Sequence, residues 1–146
     1  MSPVRRKGKT VTDQPTNIRF INPPTLSKPP GFTHVVEVTG GRTIFLSGQV
    51  AFDQSGNLVG KNDFRAQTEQ VFENIKAALA AVGADFTHVV KLNIYVLDAS
   101  QLRNFIEIRD RYVNTSNPPA STFVEIRKLA REELLIEIEA IAHLPE

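Results

Sequence analysis

The sequence predicts an α+β domain in which two helices pack on one face of a single mixed sheet, with the elements in the order ββ(β)αβαββ. Three observations carry that expectation. Residues 88–97 alternate apolar and polar side chains with period two, residues 64–82 repeat apolar side chains at helical spacing, and the remaining strand-like runs are short and bounded by glycine or proline. Strand runs interleaved with only two helices fit an α+β layer arrangement.

The elements are justified in order along the chain. Ile18 to Ile21 can form a short edge strand. Pro23, Pro24, Pro29 and Pro30 then hold residues 22–31 extended and unable to donate to a ladder, so this stretch reads as a rim loop. Strands are expected at His34 to Val38 and Thr43 to Phe52, joined as a hairpin through Thr39-Gly40-Gly41-Arg42, whose glycines permit the positive φ of a tight turn. Asp53 to Asn57 is a second turn, and Asn62 or Asp63 offers an N-cap for a helix that runs to Val82. Phe64, Val71, Phe72, Ile75, Leu79 and Val82 form its apolar face, and Gly83 suits the left-handed position after its end. In the strand 88–97, Val90, Leu92, Ile94 and Val96 take one face and Lys91, Asn93 and Tyr95 the other. Asp98 or Ser100 caps a second helix reaching Val113, Asn114 to Pro119 breaks the chain, and two strands close it, Ser121 to Arg127 and Leu134 to Ala142.

The 146 residues suffice for one domain with its own core, and 41% hydrophobic against 23% charged residues is an ordinary globular balance. Cysteine is absent, which excludes disulfides, thiolate metal sites and a cysteine nucleophile and suits a reducing cytosol. No apolar run reaches the roughly 20 residues needed to cross a bilayer, and the first residues lack the apolar segment of a signal peptide, so a cytoplasmic protein without a membrane partner is expected. A net charge of +1 supplies no field that would draw nucleic acid. Residues 1–16 are polar and aperiodic, with Arg5, Arg6, Lys7 and Lys9 close together, and read as a flexible basic extension ahead of a domain at 17–146.

Two helices cover one face of such a sheet, yet the pattern puts large apolar side chains on both. Phe45 alternates with Ile44 and Leu46, Phe123 with Val124, and Leu135 and Ile141 stand opposite Ile136, Ile138, Ala140 and Ala142. A second apolar face implies burial against further copies in a closed assembly, a dimer or a trimer on this ground alone.

Two residue sets could carry chemistry. On the second helix Leu102, Phe105, Ile106, Tyr112 and Val113 form an apolar stripe with Arg109 near its middle. Its guanidinium is either snorkelled or paired with a carboxylate, or it anchors a ligand carboxylate or phosphate through paired hydrogen bonds. On the last strand Glu137 and Glu139 share a face with Leu135 and Ile141. They are either a solvated pair or include a partly desolvated carboxylate suited to act as a general base on water. His34, His88 and His143 lack metal-ligand spacing and read as structural or solvated, Ser47-Gly48-Gln49 lacks the flanking pattern of a nucleophile elbow, and no glycine loop for phosphate is present.

Taken together, Thr43 to Gln49, the turn with Asp53 and Gly56, Gln67, Asn74, Gly83, Val89-Val90-Lys91, Tyr95 to Asp98, Phe105 with Tyr112, Pro118-Pro119-Ala120 and Ile136 to Ala142 resemble the RidA (YjgF, L-PSP) family over nearly the whole domain. The resemblance implies a chorismate-mutase-like fold and a homotrimer with ligand clefts between subunits. It also implies hydrolysis of reactive enamines and imines to a 2-keto acid and ammonia, with no cofactor. By position Glu137 matches the catalytic glutamate that works through an ordered water, and Ser47 matches the serine of the cleft wall.

The sequence departs from the active members of that family at the substrate-binding positions. Ser121 stands where the family has its substrate-binding arginine, Phe32 where a tyrosine is usual, Phe123 where a cysteine is common, and Arg109 where an asparagine normally lies beside the glutamate. The chain therefore resembles a branch that lacks the arginine. Loss of that contact removes roughly 1.5–3 kcal/mol of charge-assisted binding. The expectation is that Arg109 supplies the missing guanidinium from the other wall of the cleft and pairs with Glu137 when no ligand is present. The competing functions are an imine or enamine deaminase acting on a small carboxylate-bearing substrate, a non-catalytic ligand-binding or regulatory trimer, and an L-PSP-type endoribonuclease. The last is opposed by the absence of a basic aromatic groove.

Overall fold

The structure is a computed structural model that describes residues 17–146. The proposed basic extension, residues 1–16, lies outside the described residues. Eight main elements run in the order β1 (Ile18–Ile21), β2 (Val35–Val38), β3 (Arg42–Gln49), α1 (Phe64–Ala80), β4 (Val89–Val96), α2 (Leu102–Arg109), β5 (Ala120–Glu125) and β6 (Ile136–Leu144). The α+β class, the element order and the two helices are as the sequence predicts.

The main sheet has four strands in the order β3-β6-β4-β5, with β4 and β5 parallel and the other neighbours antiparallel. Parallel pairing of β4 and β5 requires a crossover, and α2 supplies it. Separately, β1 and β2 form a two-stranded antiparallel ribbon. The expected hairpin between β2 and β3 is therefore corrected. Gly40 and Gly41 do adopt positive φ, 58° and 66°, but the strand after them pairs with β6, from Arg42 opposite Leu144 to Gln49 opposite Ile138. The apolar inward residues Ile44 and Leu46 find the small Ala142 and Ala140 across β6, which lets the helix layer sit close.

Helix α1 starts where Asp63 accepts a hydrogen bond from the Ala66 N–H, a cap worth about 1 kcal/mol. Its inner face buries Phe64, Val71, Phe72, Ile75 and Leu79, each contributing about 1.5–3 kcal/mol of apolar burial, and Gly83 takes the left-handed conformation after the last turn. Gln67 on the same face is fully buried and fully used. Its amide donates to the carbonyls of Gly60 and Glu133, and its oxygen accepts from the Leu135 N–H, fastening the chain ahead of β6 to the helix.

The second helix is shorter than expected and slightly rotated. Asp98 caps a 3-10 turn, Ala99–Gln101, rather than the helix itself, and α2 runs only from Leu102 to Arg109. A 3-10 lead-in winds three residues per turn instead of 3.6, which shifts the phase of the α-helical residues after it. Leu102 accordingly lies exposed, while Phe105, Ile108 and Arg109 are buried. Strand β6 begins two residues later than expected because Leu134 closes a turn onto Arg131 and Leu135 is engaged by Gln67.

One face of the sheet, with Leu92, Ile94, Ile136 and Ile138, is sealed by the two helices. The opposite face carries Phe45, 75% exposed, together with Ile141, Val124 and the polar Asn93, Tyr95, Glu137 and Glu139. Phe123 belongs to the helix side, paired with Ile94 and packed 5.3 Å from the Phe105 ring. None of the helices among the described residues is long and apolar enough to cross a membrane.

Candidate functional site

The candidate residues fall into two groups on opposite faces of the sheet. The first surrounds Arg109, in the last turn of α2. The Arg109 side chain is 9% exposed. It is held side-on by its sequence neighbour, with Nε and Nη2 donating to Asp110 Oδ1 at 3.0 and 2.9 Å, while the Phe105 ring lies 6.0 Å from the guanidinium carbon. Gly31 in the rim loop closes the Nη2 corner, because a Cβ built there would stand 2.7 Å from Nη2. The φ of Gly31, +94°, is itself a conformation that L side chains rarely adopt.

The rim loop is pinned over this corner by Thr33, whose N–H donates to the Pro119 carbonyl and whose hydroxyl donates to Pro118. That tether places Phe32 and Gly31 beside Pro118 in a cavity of about 560 Å³. Ser121 comes two residues after Pro119 and pairs with Leu92, so it shares the helix-side face with Phe123. Phe32, Ser121 and Phe123 thus belong to the same side of the molecule as Arg109. Within one chain Arg109 forms its ion pair with Asp110.

The second group lies on the uncovered face of β3, β4 and β6. A β-bulge at Ser47–Gly48 places two residues of β3 opposite Glu139, the register shifting between Leu46 and Gln49. The bulge brings Gly48 under the Glu137 carboxylate, since a Cβ on Gly48 would fall 2.5 Å from Oε2. The two glutamates are then distinguished. Glu139 accepts from Asn93 Nδ2 at 3.1 Å and from the Tyr95 hydroxyl at 2.9 Å, whereas Glu137, also half-buried, accepts no side-chain hydrogen bond from the described residues. The hydrogen bond to Glu139, then burial and the Glu139 and Glu137 charges, raise the Tyr95 hydroxyl above the usual phenol value.

The three histidines are occupied structurally. His88 Nδ1 accepts from the Asp85 N–H in a capping box, His143 Nδ1 lies 2.8 Å from the Thr43 hydroxyl, and His34 Nε2 lies 2.7 Å from the Ser27 carbonyl.

This fold has known counterparts. Residues 26–144 match the family model described as endoribonuclease L-PSP. The chain belongs to the RidA/YjgF (L-PSP) family. Protein DfrA of Myxococcus xanthus is 40% identical over 111 residues, covering 76% of this chain and 83% of the relative. The human 2-iminobutanoate/2-iminopropanoate deaminase is 34% identical over 101 residues, covering 69% and 72%. The crystal structure of the Rid-family protein YyfB from Yersinia pestis, of unknown function, superposes with a TM-score of 0.79 at 41% identity, covering 88% of this chain and 99% of that one. RidA from a Psychrobacter species gives a TM-score of 0.65 at 29% identity, covering 93% and 97%.

Sequence reasoning singled out Arg109 and Glu137 but missed Asp110 and Gly31, which together set how the guanidinium is presented. Asp110 left a signal, an acid directly after an arginine near a helix end; Gly31 left only a glycine amid prolines.

Proposed function

We propose that the protein is a RidA-type hydrolase that deaminates a small carboxylate-bearing imine or enamine, working as a homotrimer whose clefts lie between subunits. In this reading Arg109 anchors the substrate carboxylate, and Phe32, Ser121 and Phe123 shape the wall beside it. Glu137, next to Ser47 and Gly48, takes a proton from the attacking water. Water adds to the imine carbon, the proton taken by Glu137 passes to the nitrogen, the carbinolamine C–N bond breaks to release ammonia, and a 2-keto acid leaves.

The single observation that carries the reading is the separation of the two glutamates. Asn93 and Tyr95 occupy Glu139, while Glu137 lies half-buried over Gly48 with its acceptor capacity unspent on the described residues. Relatives named 2-iminobutanoate/2-iminopropanoate deaminase support the reaction class. The trimer is supported by the split site. One chain holds Arg109 and Glu137 on opposite faces of its sheet, so a cleft that uses both takes them from neighbouring copies, and the exposed Phe45 and Val124 give that contact an apolar surface.

One observation favours a second reading, a ligand-binding or regulatory trimer without turnover. The Arg109 charge is already countered by Asp110, which weakens its hold on a reactive carboxylate. A coupled assay for keto-acid release from freshly generated 2-iminobutanoate separates the two. Turnover that Arg109→Ala and Glu137→Gln both abolish supports the enzyme, and saturable 2-oxobutanoate binding without turnover supports the regulator. Sedimentation as a folded 16.2 kDa monomer at micromolar concentration would remove the shared-cleft reading altogether.

A further inference from the structure

We infer that Asp110 is a positioning residue that fixes the roll of the Arg109 guanidinium so that one nitrogen, Nη1, is the ligand-facing group. The inference rests on the reading of Arg109 as the carboxylate anchor and goes further by stating which corner of it binds and what holds that corner in place.

A guanidinium offers donors along two edges, one formed by Nε with Nη2 and the other by Nη1 with Nη2. The first edge of Arg109 is closed, because Nε and Nη2 both donate to Asp110 Oδ1. The Nη2 corner of the second edge is closed by Gly31, which leaves no room there even for a methyl group. Nη1 has no hydrogen-bond partner among the described residues. An incoming carboxylate therefore meets Nη1 as a single-point donor instead of the two-pronged fork that an unencumbered arginine presents.

The chemical consequence concerns selectivity. A guanidinium held in a fixed roll discriminates a carboxylate from its neutral amide through one aligned, charge-assisted hydrogen bond. A guanidinium free to turn spends part of that interaction on its own ordering. Asp110 opposes the ligand by charge and supports it by geometry, and the geometric role depends only on an acceptor oxygen at the Oδ1 position. Asparagine keeps that oxygen and removes the charge; alanine removes both.

The test measures calorimetric affinity for 2-oxobutanoate and for 2-oxobutanamide in the full-length protein and in Asp110→Asn, Asp110→Ala and Arg109→Ala. Thermal melts and sedimentation confirm that each variant folds and assembles like the unaltered chain. Asp110→Asn is expected to bind the acid at least as tightly as the unaltered protein. Asp110→Ala should bind it about tenfold or more weakly than Asp110→Asn, with amide affinity unchanged, so that the acid-to-amide ratio falls in the alanine variant alone. Acid affinities for the asparagine and alanine variants within twofold of each other, or tighter binding by alanine, would overturn the positioning role. Unchanged acid binding by Arg109→Ala, or none by the unaltered protein, would instead remove the anchor reading on which this rests.

Discussion

The neighbourhoods of Arg109 and Glu137 are built by different means. Glu137 is placed by regular strand register, opposite Tyr95 on β4 and above a bulge in β3, so its surroundings derive from period-two pairing. Arg109 is placed by irregular structure, a helix end, an adjacent acid and a proline-rich loop tied down by Thr33. Strand-borne groups inherit their geometry from backbone pairing, while the guanidinium depends on a handful of individual contacts. The Arg109 side should therefore be the more fragile of the two.

The largest effects should separate the two sides by the step each serves. Glu137→Gln should lower imine hydrolysis by about 10²–10⁴-fold while 2-oxobutanoate affinity stays within a few-fold, read from initial rates and calorimetry. Comparable losses of binding and turnover in this variant would erase the distinction.

The two glycines sharpen it at intermediate size. Gly31→Ala meets Arg109 Nη2 and forces an L side chain to a φ of +94°, so melting should show a loss of about 1–2 kcal/mol together with weaker acid binding. Gly48→Ala has no such φ penalty and meets first the flexible Glu137 side chain, so stability should change less while turnover falls. Equal destabilisation by both would show that the two sides are equally rigid.

Gln67→Leu tests the frame beneath the Glu137 strand. It leaves the half-buried Leu135 N–H and the Gly60 and Glu133 carbonyls without their side-chain partner and should cost about 1–3 kcal/mol by chemical denaturation.

The smallest effect is a titration. Tyr95 and Tyr112 are the only tyrosines, and both hydroxyls are raised, Tyr95 chiefly by its hydrogen bond to Glu139 and Tyr112 chiefly by burial, with Glu73 and Glu69 adding to it. A folded-state value above the unfolded one means that any stability linked to these groups is present below the usual phenol pKa of about 10 and is lost as pH rises through the folded values. Native protein should thus show tyrosinate absorbance only at higher pH than denatured protein. Tyr95→Phe should remove one of the two late steps and, by taking one hydrogen bond from Glu139, lower stability only slightly.

Much of this was legible in the residues. The alternation of Leu92, Ile94 and Val96 fixed the helix-covered face of β4, and Asp63 and Gly83 marked the two ends of α1. An arginine within the apolar stripe of α2 singled out Arg109, which the structure buries, and the pattern Glu137-Ile138-Glu139 placed both carboxylates on one face, the uncovered one. The failures were non-local. Gly40-Gly41 has the chemistry of a hairpin turn, but turn chemistry cannot say which strand the next segment joins, and β6, almost a hundred residues away, outcompetes β2 for β3. The phase of α2 escaped as well, because Asp98 caps equally well a 3-10 turn or an α-helix.

Local patterning by itself determined the class, the element order and the identity of the two charged groups, because periodicity and capping act over a few residues. Only the tertiary structure decided that Tyr95 and Asn93 engage Glu139 and not Glu137, and that Asp110 takes Nε and Nη2 of Arg109 while Nη1 has no partner among the described residues. Those outcomes depend on which distant segments pack together, and packing is settled by the competition of all the apolar surfaces for one core.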